Sequence, residues 1–125
     1  MPFGAIATDA CDYGTGLPHP AAYGTFPRIL ARFVRERGIL RLPEAIRRMT
    51  SLPASIMGLT DRGRIAPGFA ADIVILDPES VADRATFRDP RREATGIRHV
   101  LVNGVAAVRD GARTGADAGH LLRRT

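Results

Sequence analysis

Two short stretches constrain the fold of this chain more than anything else in it. The first is Asp61-Arg62-Gly63-Arg64-Ile65-Ala66-Pro67-Gly68-Phe69-Ala70-Ala71-Asp72-Ile73-Val74-Ile75-Leu76-Asp77-Pro78, and the second is Val100-Leu101-Val102-Asn103-Gly104. Pro67 fixes φ and Gly68 accepts φ > 0, so together they set a tight turn. Ile73 to Leu76 is a short apolar run rich in β-branched residues, and reads as a strand buried on both faces. Asn103-Gly104 is a strong hairpin signal, because both residues tolerate the left-handed backbone of a two-residue loop. The arms of that hairpin are Ile97–Val102 and Val105–Val108. These stretches specify a small sheet and carry no chemistry of their own.

Upstream the chain changes character. Residues 3–8 form a short apolar segment ending at Asp9, too short for a helix, and read as a buried strand. Residues 10–24 hold Gly14, Gly16, Pro18, Pro20 and Gly24, which predicts a long loop. Thr25 can cap a helix starting at Phe26, with Pro27 tolerated in its first turn. Phe26, Ile29, Leu30, Phe33 and Val34 then follow i, i+3, i+4, i+7, i+8 spacing, the apolar stripe of an amphipathic helix. Gly38 ends it. Pro43 opens a second helix, with Ala45, Ile46 and Met49 inward and Arg47 and Arg48 outward. Pro53 opens a short third helix that Gly58 stops. Residues 79–96 are polar and read as an irregular excursion over a surface.

At 125 residues the chain has the size of one ordinary domain, with 45% apolar and 25% charged residues, a composition typical of a globular protein. No apolar run approaches the ~20 residues that span a bilayer. The start of the chain lacks the basic and apolar regions of a signal peptide, so a cytoplasmic location is expected. Cys11 has no intramolecular disulfide partner. The net charge is +5 and all 18 basic residues are arginine. Arg28, Arg32 and Arg35 share one side of a predicted helix, but Arg62, Arg64, Arg98 and Arg109 do not continue a stripe. No aromatic platform alternates with them, which argues against nucleic acid as a partner.

Asp9 is the candidate for chemistry. A carboxylate at the end of a short buried strand, before a glycine-rich loop, can stand in an active-site mouth and carry a proton. The competing reading is a carboxylate that caps a turn. His19 lies in the same loop and is either a substrate contact or a solvated loop histidine. His19, His99 and His120 show no metal-ligand spacing. Cys11 has no base placed beside it, which leaves a small half-buried thiol. Ser51 and Ser55 lack a nucleophile-elbow setting and serve helix ends.

Read in order, the pieces resemble a known family. Ala7-Thr8-Asp9, His19-Pro20, Tyr23 to Arg28 and Glu44 to Ala54 are similar to the C-terminal third of N-acyl-D-amino-acid deacylases (D-aminoacylases), in the amidohydrolase superfamily. Gly63-Arg64-Ile65, Ala71-Asp72, Val81 to Phe87 and Val100 to Gly104 continue the resemblance over essentially the whole chain. The resemblance implies an α/β fold. Residues 1–60 would be the last strand and C-terminal helices of a (β/α)8 barrel, and residues 61–125 part of a small β-sandwich plus a tail. It implies hydrolysis of the amide bond of N-acyl-D-amino acids with zinc as cofactor. Asp9 matches the family's proton-carrying aspartate, and His19 a residue of its substrate-binding loop.

Two departures stand out. Ala10 replaces a family glycine, and Ala21 replaces an arginine that grips the substrate carboxylate. Arg28 matches a different family arginine. The family's His-x-His and remaining metal ligands match nothing in this chain, and a whole barrel needs ~250 residues. Alone, the chain is therefore expected to be inactive. The alternative is a non-catalytic interaction module, whose apolar surface and open sheet edges self-associate or bind a chain carrying the rest of a barrel.

Overall fold

The computed structural model describes residues 4–122. Helices come first and a four-stranded antiparallel sheet follows. Helix α1 (Ala21–Arg28) runs directly into a π-helical segment (Ile29–Glu36), followed by α2 (Leu42–Met49) and α3 (Ser51–Met57). Strands β1 (Ile73–Leu76), β2 (Ile97–Val102), β3 (Val105–Arg109) and β4 (Ala112–Arg113) form a sheet in chain order.

The first helix departs from expectation in start and in pitch. It begins at Ala21, not Phe26, and Pro20 stands at its N-cap. Thr25 lies inside it, and its Oγ1 donates to the Ala21 carbonyl at 2.8 Å instead of capping. Pro27 therefore sits in the helix body, where it cannot donate to the carbonyl of Tyr23. Past that point the turns widen, and at the end Arg37 N–H reaches the Arg32 carbonyl at 3.0 Å, five residues back. The expected stripe holds at Leu30, which is buried, and at Ile29 and Val34, which pack against the core around it; Ala31 is buried as well, and Phe26 is 40% exposed. Gly38 leaves the helix at φ 59°.

Residues 4–10 form no strand. The strand expected over residues 3–8 is thus absent from its described part, and Phe3 lies outside the described residues. A strand needs ladder partners, and no strand of the sheet pairs with this segment. Ile6 N–H instead donates to the Arg48 carbonyl at 2.9 Å, tying the segment to α2.

In the sheet, Val102 pairs with Val105, and Asn103 and Gly104 take φ of 49° and 81° between them. This is the type I′ turn that Asn-Gly favours. Asp110-Gly111 repeats it at φ 49° and 78°, joining β3 to a fourth strand that the sequence reading lacked. Pro67-Gly68 forms a type II turn: Phe69 N–H donates to the Ala66 carbonyl at 3.1 Å, with Gly68 at φ 82°. Strand β1 is not buried on both faces, since Val74 and Ile75 are about half exposed. It has a neighbour on one side only, β2, and a groove lies open beside Val74.

The two stretches that dominate the sequence meet in space. Asn103 N–H donates to Asp72 Oδ1 at 2.8 Å, and Arg62 Nη2 donates to Asn103 Oδ1 at 2.8 Å. Arg62 also pairs with Asp72, while Asn103 Nδ2 donates to the Ala118 carbonyl. The hub clamps the turn region to the hairpin tip.

The core is small. Leu30, Ala45 and Val81 are its buried centre, with Met49, Leu76 and Ile97 packed against it. Residues from both sides of position 60 therefore share one core. The polar excursion over 79–96 is irregular as expected, but it contributes Val81, which is 1% exposed. Gly96, at φ 75°, passes so close to Val81 that a Cβ there would stand 2.4 Å from the Val81 nitrogen.

Candidate active site

Asp9 and His19 lie on the segment that connects Ile6 to α1. Asp9 is exposed and in no regular element. Its carbonyl accepts a weak bond from Cys11 Sγ at 3.8 Å. The Cys11 thiol is exposed rather than half-buried.

The strongest fixture of the segment is a residue the sequence reading passed over. Asp12 receives both arms of the Arg91 guanidinium, Nε to Oδ2 at 2.7 Å and Nη2 to Oδ1 at 2.9 Å. The Tyr23 hydroxyl donates to Oδ2 and the Gly14 N–H to Oδ1, each at 2.9 Å. The Arg91 fork, then the Gly14 N–H, hold the Asp12 carboxyl well below the usual carboxylate range. Asp12 in turn pushes the Tyr23 phenol up, chiefly by accepting its hydrogen bond. The Asp12–Gly14 bond is an Asx turn with a local sequence signal. The tie to Arg91 has none, since 79 positions separate the two residues.

His19 stands in a pocket of about 420 Å³ with Pro20, Ala21, Arg28, Asp83 and Phe87 on its walls. Its Nδ1 accepts from Ala21 N–H at 3.1 Å, which leaves Nε2 as the donor of a neutral ring. Its ring meets Phe87 edge-on at 5.2 Å. On the far wall Arg28 Nη1 donates to Asp83 Oδ2 at 3.1 Å. Asp9 is outside this pocket's lining, and no hydrogen bond joins it to His19 among the described residues. The structure thus places both residues on one segment without a hydrogen bond between them.

The other candidates settle quickly. His99 Nδ1 accepts from Asp110 N–H at 3.4 Å, beside the second hairpin turn. His120 is exposed in the tail. Ser51 opens α3 without a side-chain cap. Arg47 and Arg48 do not simply face outward; both grip Glu44, at 2.8 and 2.6 Å. Together, Arg47 first, they depress the Glu44 pKa to about 2. Among the described residues, no group of three or more His, Cys, Asp or Glu side chains could hold a metal ion. No helix among them is long and apolar enough to cross a membrane.

Residues 5–108 match the model of the amidohydrolase family, so the chain belongs to that family. Within it the similarity is to deacylases of N-acyl-D-amino acids. D-aminoacylase of Alcaligenes xylosoxydans xylosoxydans is 45% identical over 108 residues, covering 86% of this chain and 22% of that protein. N-acyl-D-glutamate deacylase of the same organism is 49% identical over 107 residues, with the same coverage. The chain therefore matches a segment of about a fifth of these relatives. A crystal structure of D-aminoacylase superposes with a TM-score of 0.83 at 46% identity, over 86% of this chain and 23% of that one. N-acyl-D-glutamate deacylase from Bordetella bronchiseptica, solved with zinc and a phosphonate mimic of the tetrahedral intermediate, gives 0.71 at 44% identity, over 78% and 21%.

Proposed function

We propose that this chain supplies the proton-carrying segment of an N-acyl-D-amino-acid deacylase, with Asp9 as general base and then general acid. The observation that carries this reading is the match to D-aminoacylase, at 46% identity and a TM-score of 0.83 over 86% of the chain. In this reading water attacks the amide carbonyl carbon and its proton passes to the Asp9 carboxylate. The C–N bond then breaks, and Asp9 returns the proton to the leaving nitrogen. The products are a carboxylic acid and a free D-amino acid. The exposure of Asp9 suits a group that must meet a substrate. His19, with Nε2 left as donor, is the substrate contact. Residues 1–60 act as the end of a (β/α)8 barrel and 61–125 as strands of a small β-sandwich.

Zinc is implied by the relatives, but the described residues assemble no metal centre of their own. They do not fit such an ion unaided, so its ligands belong to parts of an amidohydrolase fold outside these residues. The segment alone is then inactive. Asp9 is tested by exchanging the matching segment of D-aminoacylase for this chain. The chimera hydrolyses an N-acetyl-D-amino acid, and Asp9→Asn lowers kcat by about 10²–10⁴-fold. An Asp9→Asn chimera with undiminished kcat overturns the assignment. The purified chain with zinc gives no turnover above background, and turnover there removes the dependence on further segments.

One observation favours a second reading, a non-catalytic interaction module. Phe26, Ile46, Ile65 and Val74 are exposed along an apolar groove of about 780 Å³ between helices and sheet. A groove of that size suits a chain carrying the rest of an amidohydrolase fold. Static light scattering of the chain alone separates this from self-association.

A further inference from the structure

The excursion over residues 78–91 runs antiparallel to the Asp9 loop and the first helix, and it is fastened to them at regular intervals. Arg91 holds Asp12 with both arms. Phe87 meets the His19 ring. Asp83 pairs with Arg28 at 3.1 Å, and the carbonyls of Val81 and Pro78 accept from Arg35 Nη1 at 2.8 and 2.9 Å. One partner descends in number as the other rises, so the excursion lies along the segment like a strap. Gly24 makes the approach possible: a Cβ there would stand 3.3 Å from the Asp83 Cβ.

The Arg91–Asp12 fastening is bidentate and stands three residues from Asp9. The Asp12 side chain is only 15% exposed, and Arg91, Tyr23 and the Gly14 backbone all donate to it. Around it Cys11, Tyr13, Gly14 and Leu17 are exposed and in no helix or strand. A bidentate guanidinium fixes direction as well as distance, and no other side-chain ion pair anchors residues 4–20 among those described. We propose that Arg91, acting through Asp12 and supported by Tyr23, is the positioning residue for Asp9. It sets where the Asp9 carboxylate stands relative to the scissile amide, a role that rests on the reading of Asp9 as proton carrier.

Two measurements test it. The full chain has a single cysteine, Cys11, which is exposed and adjacent to Asp12. A nitroxide on Cys11 reports loop mobility by electron paramagnetic resonance. Arg91→Ala sharpens the spectrum toward free motion, and Arg91→Lys restores only part of the restraint, because an ammonium cannot reproduce the fork. Arg92→Ala, which removes a pair with Asp89, leaves the spectrum as in the parent. Circular dichroism confirms that each variant is folded. In the D-aminoacylase chimera, Arg91→Ala lowers kcat by about 100-fold, the scale of a misplaced reacting group, while KM stays within twofold.

An Arg91→Ala label as restrained as the parent's overturns the proposal. So does an unchanged kcat, or a loss shared equally by all variants with a matching fall in melting temperature. Failure of the underlying reading looks different: Asp9→Asn retains kcat although Arg91→Ala still frees the label.

Discussion

Strands β2 and β3 join across a two-residue turn, Asn103-Gly104, whereas the Asp9 segment is anchored through a pair 79 positions apart in the chain, Asp12 and Arg91. The sheet is a meander whose strands pair in chain order. The β2–β3 and β3–β4 turns are specified by residues within them and close short loops at small entropic cost, whereas β1 reaches β2 only across the excursion that separates Leu76 from Ile97. The Asp9 segment has neither ladder nor helix and depends on a salt bridge that forms only once the excursion is in place. The candidate chemistry is thus carried by the less self-sufficient region, as is usual for segments that meet substrates.

The largest expected effect strikes a point both regions need. Gly96→Ala places a methyl 2.4 Å from the Val81 nitrogen and 2.5 Å from its Cα, at φ 75°. Backbone atoms cannot yield as a flexible side chain would. Val81 must leave the core or β2 must shift, and the cost is about 3 kcal/mol or more. Urea unfolding should show a markedly lower midpoint, with the sheet and the Cys11 label released together. An unchanged midpoint would break the idea that the excursion links the two regions.

Gly104→Ala should separate them. The new methyl has room, with Ala71 Cβ its nearest neighbour at 3.9 Å, but φ stays at 81°. The cost is therefore conformational, about 1 kcal/mol. The hairpin weakens while a label on Cys11 keeps the parent's mobility at low temperature. If the label is freed as well, the sheet is a condition for the loop and the contrast is weaker than drawn.

The same contrast explains what the sequence reveals. Asn103-Gly104, Pro67-Gly68 and Gly58 announce their turns because each demands a particular φ, and that demand is local. Asp110-Gly111 carries an equal local signal, with φ of 49° and 78°. The sequence pattern misplaces the first helix because Pro27 and Thr25 both suit a helix start, whereas the first turn closes on Pro20, whose carbonyl accepts from Gly24 N–H at 2.9 Å. The strand expected over 3–8 is missing from residues 4–8 for a related reason: an apolar run supplies propensity, but a strand also needs neighbours. Asp9 was singled out by its place in the chain. Arg91, one of several arginines in a polar stretch, has no feature that distinguishes it from Arg92 until the fold brings it to Asp12.

Acid offers a graded version of the comparison. The Glu44 pKa falls from the ordinary 4.5 to about 2 through Arg47 and Arg48. A depressed carboxylate stabilises the folded state above its unfolded pKa, and that contribution is lost as pH falls through the folded value. The helical region therefore weakens between pH 4.5 and about 2. Glu44→Gln should flatten the dependence of the urea midpoint on pH across that window. Asp12 is depressed further, Arg91 being the first cause, so its hold on the Asp9 segment persists to lower pH than the Glu44 pairs. A Cys11 label that loosens in step with the loss of the Glu44 contribution would show that the segment follows α2, through the Ile6–Arg48 bond, rather than the Arg91 fork.

The smallest effect on stability is expected at Ile65, which is 85% exposed on the rim of the apolar groove. Ile65→Ser removes no buried contact and should shift the unfolding free energy by less than about 0.5 kcal/mol. Its consequence lies in association. If the groove receives another chain, Ile65 contributes to the apolar surface buried there, and the serine should weaken that contact while sheet and loop stay as they are. Light scattering at rising concentration reads this directly when the occupant is a second copy. A partner bearing the rest of an amidohydrolase fold is read by pull-down against the parent chain. Should Ile65→Ser instead lower stability by more than 1–2 kcal/mol, the range of a lost buried contact, the groove is closed in solution. The hairpin sheet and helices would then form one sealed core, and the division between a self-sufficient sheet and a dependent loop would remain the only seam in the molecule.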